Sequence, residues 1–205
     1  ISLYTLPDFA CSSSIAALRH LHQNLVGETV TVFLIKPARI VDIAIEQVAI
    51  IDSNTAIAIT RSDPGDHLDI TRHTPIWAKV SSNDNELAKA ITIQGGDGIG
   101  FQKHNQDRAA IYSNAEKLIE ENLAPLLSPD EKIVVSIILP EGKKLAKRTS
   151  NEAFGVVKGL SLLGTTGIVQ PLTASAQLEI FQNLIREKAK LFDELVFCIL
   201  ENVID

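Results

Sequence analysis

Gly164-Thr165-Thr166-Gly167 sets two hydroxyls between two glycines. Glycine tolerates positive φ and lets another group approach the backbone, and threonine hydroxyls both donate and accept hydrogen bonds. The tetrapeptide closes the run Gly159-Leu160-Ser161-Leu162-Leu163 and precedes Ile168-Val169-Gln170-Pro171. A ligand-facing turn and a plain strand–turn–helix corner are both open readings of that pattern.

Two other segments carry chemistry-bearing residues. Ser62-Asp63-Pro64-Gly65-Asp66-His67-Leu68-Asp69-Ile70-Thr71-Arg72-His73 gathers three carboxylates, two imidazoles and a threonine around a Pro-Gly turn. Alternating acids can hold a divalent cation through oxygen, but the glycine falls too early for an EF-hand and no terminal Glu follows. A solvated turn is the alternative, and no metal site is assigned. The second segment is Gly95-Gly96-Asp97-Gly98-Ile99-Gly100, whose alternating glycines can present backbone N–H groups to an anion. A dinucleotide fingerprint would require glycine at 101, where this chain has Phe101, and no βαβ unit surrounds it.

The elements that must position these segments follow from periodicity. Ile15, Leu18, Leu21 and Leu25 fall at helical spacing, which predicts a helix from Ser12 to Leu25, capped by Ser12 or Ser13 and ended by Gly27. Strands are predicted at 29–35, across 40–51, at 55–60 after the turn Asp52-Ser53-Asn54, and at 76–80 and 88–93. Helical periodicity returns over 109–123, closed by Pro125 and Pro129. A buried strand over 133–139 leads to a short charged helix over 143–147, a turn at 151–155 and a strand over 156–163. A helix over 174–192, capped by Thr173, feeds a final strand at 195–200. The order reads as an α+β domain over 1–172 followed by the first helix and strand of an α/β domain over 173–205.

Composition narrows the function classes. The chain has 205 residues, a net charge of −6 and scattered Lys and Arg, so it carries no basic footprint for nucleic acid. Asp42, Glu46 and Asp52 interrupt the most hydrophobic region, so no membrane span is predicted, and no secretory leader is seen; a cytoplasmic protein is expected. Cys11 and Cys198 lie far apart without a CxxC, and both are read as buried apolar residues. Methionine is absent, including at position 1, which together with the end soon after the last strand reads as a truncated chain.

These segments together resemble the cobalt-precorrin-5B C1-methyltransferase family of anaerobic cobalamin biosynthesis. The most specific match runs through Ser136-Ile137-Ile138-Leu139-Pro140-Glu141-Gly142, Ala146-Lys147-Arg148-Thr149, Asn151, Gly155-Val156-Val157-Lys158-Gly159 and Leu163-Gly164-Thr165-Thr166-Gly167-Ile168-Val169-Gln170-Pro171. Asp63-Pro64-Gly65-Asp66 with Asp69-Ile70-Thr71, the Gly95–Gly100 loop, and Cys11 followed by a Ser/Ala-rich helix support it. The opening departs from the family's usual Gly-Tyr-Thr-Thr-Gly-Thr run, reading Leu3-Tyr4-Thr5-Leu6-Pro7-Asp8-Phe9-Ala10 instead. After Gly100, where many members have a proline-rich run, His104 to Ala110 is read as passing directly into a helix.

The resemblance implies a domain related to a permuted second domain of ribosomal protein S5, packed on a parallel α/β domain that extends beyond position 205. It implies methyl transfer from S-adenosylmethionine to C1 of a cobalt-containing tetrapyrrole. Gly164, Thr165, Thr166 and Gly167 would then line the methyl-donor side. Asp63, Asp66 and Thr71 would be the catalytic residues, orienting the polycarboxylate substrate or assisting the deacylation step. Arg72, Lys147 and Arg148, with Gly96, Asp97 and Gly98, would bind it, the cations meeting its carboxylates. In a truncated chain, an exposed final strand would promote self-association by edge pairing, so a homo-oligomer is expected. Two competing readings are a non-catalytic truncated fragment or paralogue that binds a tetrapyrrole or a partner protein, and an unrelated S5-like domain with a phosphate site at Gly95–Gly100.

Overall fold

Thr5 and Asp8 start the first helix, α1 (Leu6–Leu21). The Asp8 carboxylate reaches back to accept from the Thr5 amide at 2.6 Å and from its hydroxyl at 2.9 Å, and Pro7 occupies the first turn, where a missing N–H costs nothing. The helix therefore begins six residues before the Ser12 predicted from periodicity. Ser12, Ser13 and Ser14 are interior and buried, with their hydroxyls donating to the carbonyls of Phe9 and Ala10 at 2.6–3.1 Å. The helix also stops earlier than predicted, and Leu25 is 99% exposed rather than on a buried face.

The computed structural model describes residues 4–63, 70–103, 105–149 and 155–162, all within the unit Ile1–Val169. The Gly164–Gly167 turn, Asp66, Cys198, and the helix and strand expected over 174–200 lie outside the described residues. After α1 come β1 (Thr29–Ile35), β2 (Ala38–Ala44), β3 (Gln47–Asp52), β4 (Thr55–Arg61), β5 (Pro75–Ser82) and β6 (Ile91–Gly95). Next are β7 (Phe101–Gln102), β8 (Asn105–Ala109), α2 (Ser113–Leu123), β9 (Ile133–Ile138), α3 (Gly142–Ala146) and β10 (Val156–Val157). A mixed α+β architecture is thus observed. The 40–51 region divides into two strands at Ile45-Glu46.

β1 and β2 form a hairpin, and β3-β4-β5-β9-β6 form a five-stranded sheet in which only the β6–β9 pair is parallel. One face of that sheet presents Ala56, Ala58 and Thr60, then Ile76, Ala78 and Val80, then Ile133, Val135 and Ile137, all buried. The helix α1 packs on β4 and β5. Its Ala10, Ala16 and Ala17 are fully buried, as are the strand alanines, and small residues on both layers allow helix and sheet to approach closely. On α2, which packs against α1, Leu118, Ile119 and Leu123 are buried.

Asn122 ties α2 to the hairpin. Its Oδ1 accepts from Phe33 N at 2.8 Å, and its Nδ2 donates to Phe33 O at 3.0 Å and Leu118 O at 2.9 Å. The side-chain amide thereby stands in for a neighbouring strand on the free side of β1. Asn122→Ala would strand these groups, so a loss of about 2–3 kcal/mol is expected in denaturant unfolding, with the slope unchanged.

Two sequence expectations fail in the third sheet, β10-β7-β8. The stretch expected to run from His104 straight into a helix instead supplies β8, paired antiparallel with β7, and α2 begins only at Ser113. The strand expected over 156–163 is cut after Val157, because Lys158 takes a left-handed backbone with φ 64. Beyond it, Leu160 and Leu162 make single bridges to Ile99 and Ile111. The strand expected over 88–93 is shifted to β6, with Ala88 in a turn whose amide donates to Asn85 O.

Candidate functional site

The strand directions bring distant segments to one end of the sheet. β4 and β5 are antiparallel, β5 and β9 are antiparallel, and β9 and β6 are parallel. The C-terminal ends of β4, β9 and β6 and the N-terminal end of β5 therefore share one edge. From that edge emerge the Ser62–Thr74 loop, the Gly95–Gly100 loop and α3. The α1 N-terminus lies there too, since Thr60 Oγ1 donates to Phe9 O at 3.1 Å. Crevices outside the carboxyl ends of parallel strands are favoured ligand sites.

The base of the acidic loop is closed by its own backbone. Ser62 N donates to Thr74 O, His73 N to Ser62 O and Thr74 N to Thr71 O at 2.9–3.0 Å, and Ser62 Oγ donates to Thr71 O. Arg61 clamps Glu46 through Nε at 2.8 Å and Nη2 at 2.9 Å, and its Nη1 donates to His73 O at 2.9 Å. The guanidinium holds the Glu46 carboxyl below its ordinary range, and Glu46 and then Glu141 stabilise the charged arginine. Asp63 and Arg72 are exposed and Thr71 is half-buried. Among the described residues no cluster of three or more His, Cys, Asp or Glu stands close enough to hold a metal ion.

The glycine loop is a packing joint. Gly98 has φ +79, and a Cβ there would lie 1.8 Å from Leu139 O. A Cβ on Gly142 would meet Gly98 O at 2.2 Å, and one on Gly159 would meet it at 2.4 Å. Three backbones thus meet where only glycine fits. The loop does not offer an open row of amides to an anion. Gly96 N donates to Ile137 O at 2.7 Å, Ile99 N to Gly96 O at 3.2 Å and Gly100 N to Leu160 O at 2.8 Å.

Around this joint three adjoining clefts form a groove. One of about 400 Å³ is lined by Lys143, Ala146, Lys147, Val156, Val157, Lys158 and Gly159. A second, about 350 Å³, shares Lys143 and Lys158 and adds Gly96, Asp97, Gly98 and Phe101. A third, about 360 Å³, shares Gly95 and Phe101 and extends to Arg108 and Glu116. Lys143 forms an ion pair with Asp97. The first two clefts have a mainly apolar lining edged by the exposed Lys143, Lys147 and Lys158, which suits a ligand that joins an apolar body to carboxylates.

Of the residues singled out from sequence, Gly96, Asp97, Gly98 and Lys147 line this groove. Arg148 is exposed just past α3, and Asp63, Thr71 and Arg72 belong to the neighbouring loop on the same sheet edge. Lys143, Lys158, Phe101 and Arg108 were not singled out. For the first two the signal was present, because Lys143 opens the short charged helix and Lys158 precedes Gly159.

The family model described as CbiD matches residues 2–171. The chain belongs to the CbiD family. A cobalt-precorrin-5B C(1)-methyltransferase of Nostoc sp. is 55% identical over 202 residues, covering 98% of this chain and 54% of that protein. One from Cyanothece sp. is 55% identical over 211 residues, covering 98% and 55%. The 1.9 Å crystal structure of the cobalamin biosynthesis protein cbiD from Archaeoglobus fulgidus is 25% identical with a TM-score of 0.64, over 91% of this chain and 60% of that one. This CbiD chain spans about half the length of the curated relatives it matches.

In this CbiD chain the α1 cysteine is structural. Cys11 is fully buried, its thiol lies 3.7 Å from Leu118 O, and burial, with the nearby Asp8 charge, pushes its pKa up. It is a poor nucleophile. Asp8 itself is buried, with Oδ1 lacking a partner among the described residues, and burial raises its carboxyl to about 7. Among the described residues, no helix is long and apolar enough to cross a membrane.

Proposed function

We propose that this chain is the substrate-side portion of an S-adenosylmethionine-dependent enzyme that methylates C1 of cobalt-precorrin-5B in cobalamin biosynthesis. Family membership carries the reading, together with close relatives that bear that enzyme name. The groove supports it chemically. A corrin-type macrocycle is a large, largely apolar disc edged by carboxylate arms, and the first two clefts pair a mainly apolar lining with exposed lysines.

The methyl donor supplies an already activated methyl on a sulfonium centre, so the protein's task is alignment of donor and acceptor rather than nucleophilic catalysis. In this reading Lys147, Arg148 and Arg72 hold carboxylate arms, while Gly96, Asp97 and Gly98 shape the surface under the ring. Asp63, Asp66 and Thr71 orient the acceptor from the adjoining loop, and Gly164, Thr165, Thr166 and Gly167 face the donor. The fold is read as a permuted second domain of ribosomal protein S5 leading into a parallel α/β domain. The protein works in the cytoplasm, as a homo-oligomer.

The test is transfer of labelled methyl from S-adenosylmethionine to cobalt-precorrin-5B by the full-length protein. Thr165→Val with Thr166→Val should weaken donor affinity at least about ten-fold, the cost of two lost hydrogen bonds. Unchanged affinity would remove the donor-side assignment. The half-length coverage favours a second reading, in which this chain alone binds the tetrapyrrole without transferring methyl. Calorimetric titration of the chain with S-adenosylmethionine separates them, saturable binding supporting the first and its absence in a folded chain the second.

A further inference from the structure

We propose that Asp97 is a built-in competitor for Lys143, holding its ammonium in the empty groove and yielding it to a carboxylate arm of the ligand. The inference rests on the tetrapyrrole reading above. Lys143, Lys147 and Lys158 all line the cleft of about 400 Å³, and Lys143 and Lys158 also line the one of about 350 Å³ with Asp97. Among the described residues, Lys143 carries an ion pair, to Asp97, and neither Lys147 nor Lys158 carries one. Among the described residues, these two clefts set three ammonium groups against one carboxylate.

The exchange is physically easy. Lys143 and Asp97 are 62% and 63% exposed, and an ion pair that open to solvent is weak, so an incoming carboxylate can replace Asp97. Asp97 cannot itself bind a carboxylate arm, because like charges repel. A ligand with one carboxylate can pair with Lys147 or Lys158 and leave the Lys143–Asp97 pair in place. A ligand with several arms meets Lys158 and Lys147 first and then presents a further arm to Lys143 at high local concentration. Lys158 sits on a left-handed backbone (φ 64), which non-glycine residues adopt only rarely. The pair therefore selects for polycarboxylates over singly charged ligands.

The test titrates the chain with dicyanocobyrinic acid, a cobalt corrin whose arms are free carboxylates, and with dicyanocobinamide, whose arms are amidated. Wild type should bind the acid and bind the cobinamide at least about ten-fold more weakly. Asp97→Asn should tighten the acid about two- to five-fold, leave the cobinamide unchanged, and lose this effect in a Lys143→Met background. Asp97→Glu should behave as wild type. The Asp97 backbone carbonyl keeps its bond from Leu139 N at 2.9 Å in every variant, and a thermal melt verifies folding. If wild type binds the acid and Asp97→Asn weakens it or changes nothing, the competitor role is overturned and the tetrapyrrole reading stands. If folded wild type binds neither corrinoid, the tetrapyrrole groove is overturned, and the competitor role with it.

Discussion

Gly98→Ala should cost this protein roughly 3–5 kcal/mol, enough to leave much of the population unfolded at physiological temperature. Two penalties add. The left-handed backbone at φ +79 costs an alanine about 1–2 kcal/mol. The new Cβ would also sit 1.8 Å from the Leu139 carbonyl oxygen and 3.3 Å from Gly142 Cα. Both are backbone atoms, so the clash is relieved only by moving the β9–α3 connection away from the loop. Gly155→Ala is the internal control. It has nearly the same backbone, φ +77, but among the described residues the nearest atom to its Cβ would be Lys103 Cβ at 4.0 Å. A loss of about 1 kcal/mol is expected there, so the difference in denaturant midpoints between the two variants measures the joint alone. Equal losses would mean that the close approach of Gly98, Gly142 and Gly159 contributes nothing.

Asp8 should make stability fall as pH rises. In the unfolded chain this carboxyl ionises near its ordinary value of 3.8, whereas in the folded protein burial holds it neutral until about 7. Between those values the folded state binds more protons than the unfolded state. Its stability contribution is thus complete below about pH 4, declines through the interval and is lost above about 7. About three pH units of separation corresponds to about 4 kcal/mol. Asn at position 8 keeps an oxygen to accept from the Thr5 amide and cannot ionise. Asp8→Asn should therefore be more stable than wild type at pH 8 by about 2–4 kcal/mol, with the gap closing toward pH 4. Parallel stability curves for the two proteins across pH 4–8 would contradict this account of the buried carboxyl.

What could be read from sequence was what is local. The alternation in Thr55–Arg61 and the apolar run Ile133–Ile138 carry their own period, and both are strands as expected. The α1 start is not legible from periodicity because a serine is a good cap as well as a tolerated interior residue, and here the serine hydroxyls bond within the helix while Pro7 sits in the first turn, where it is compatible with a helix. β7 has no counterpart in the sequence reading because it is two residues long and its partner β10 lies about fifty positions away, so no periodicity announces it, whereas β10 falls at the start of the strand expected over 156–163. The candidate site divides the same way. The glycine run was visible as a break in pattern, but its role depends on Gly142 and Gly159, which reach it only through the sheet order. That Asp63, Thr71 and Arg72 share an edge with α3 follows from strand directions, which no single segment encodes.

Amide hydrogen exchange of the chain with and without dicyanocobyrinic acid would test the groove most directly. The account predicts slowed exchange in 95–100, 143–147 and 156–159, the segments that line the two clefts sharing Lys143 and Lys158, with the β1–β2 hairpin unchanged. Saturating binding that leaves those three segments unaltered, or that protects the hairpin instead, would contradict it.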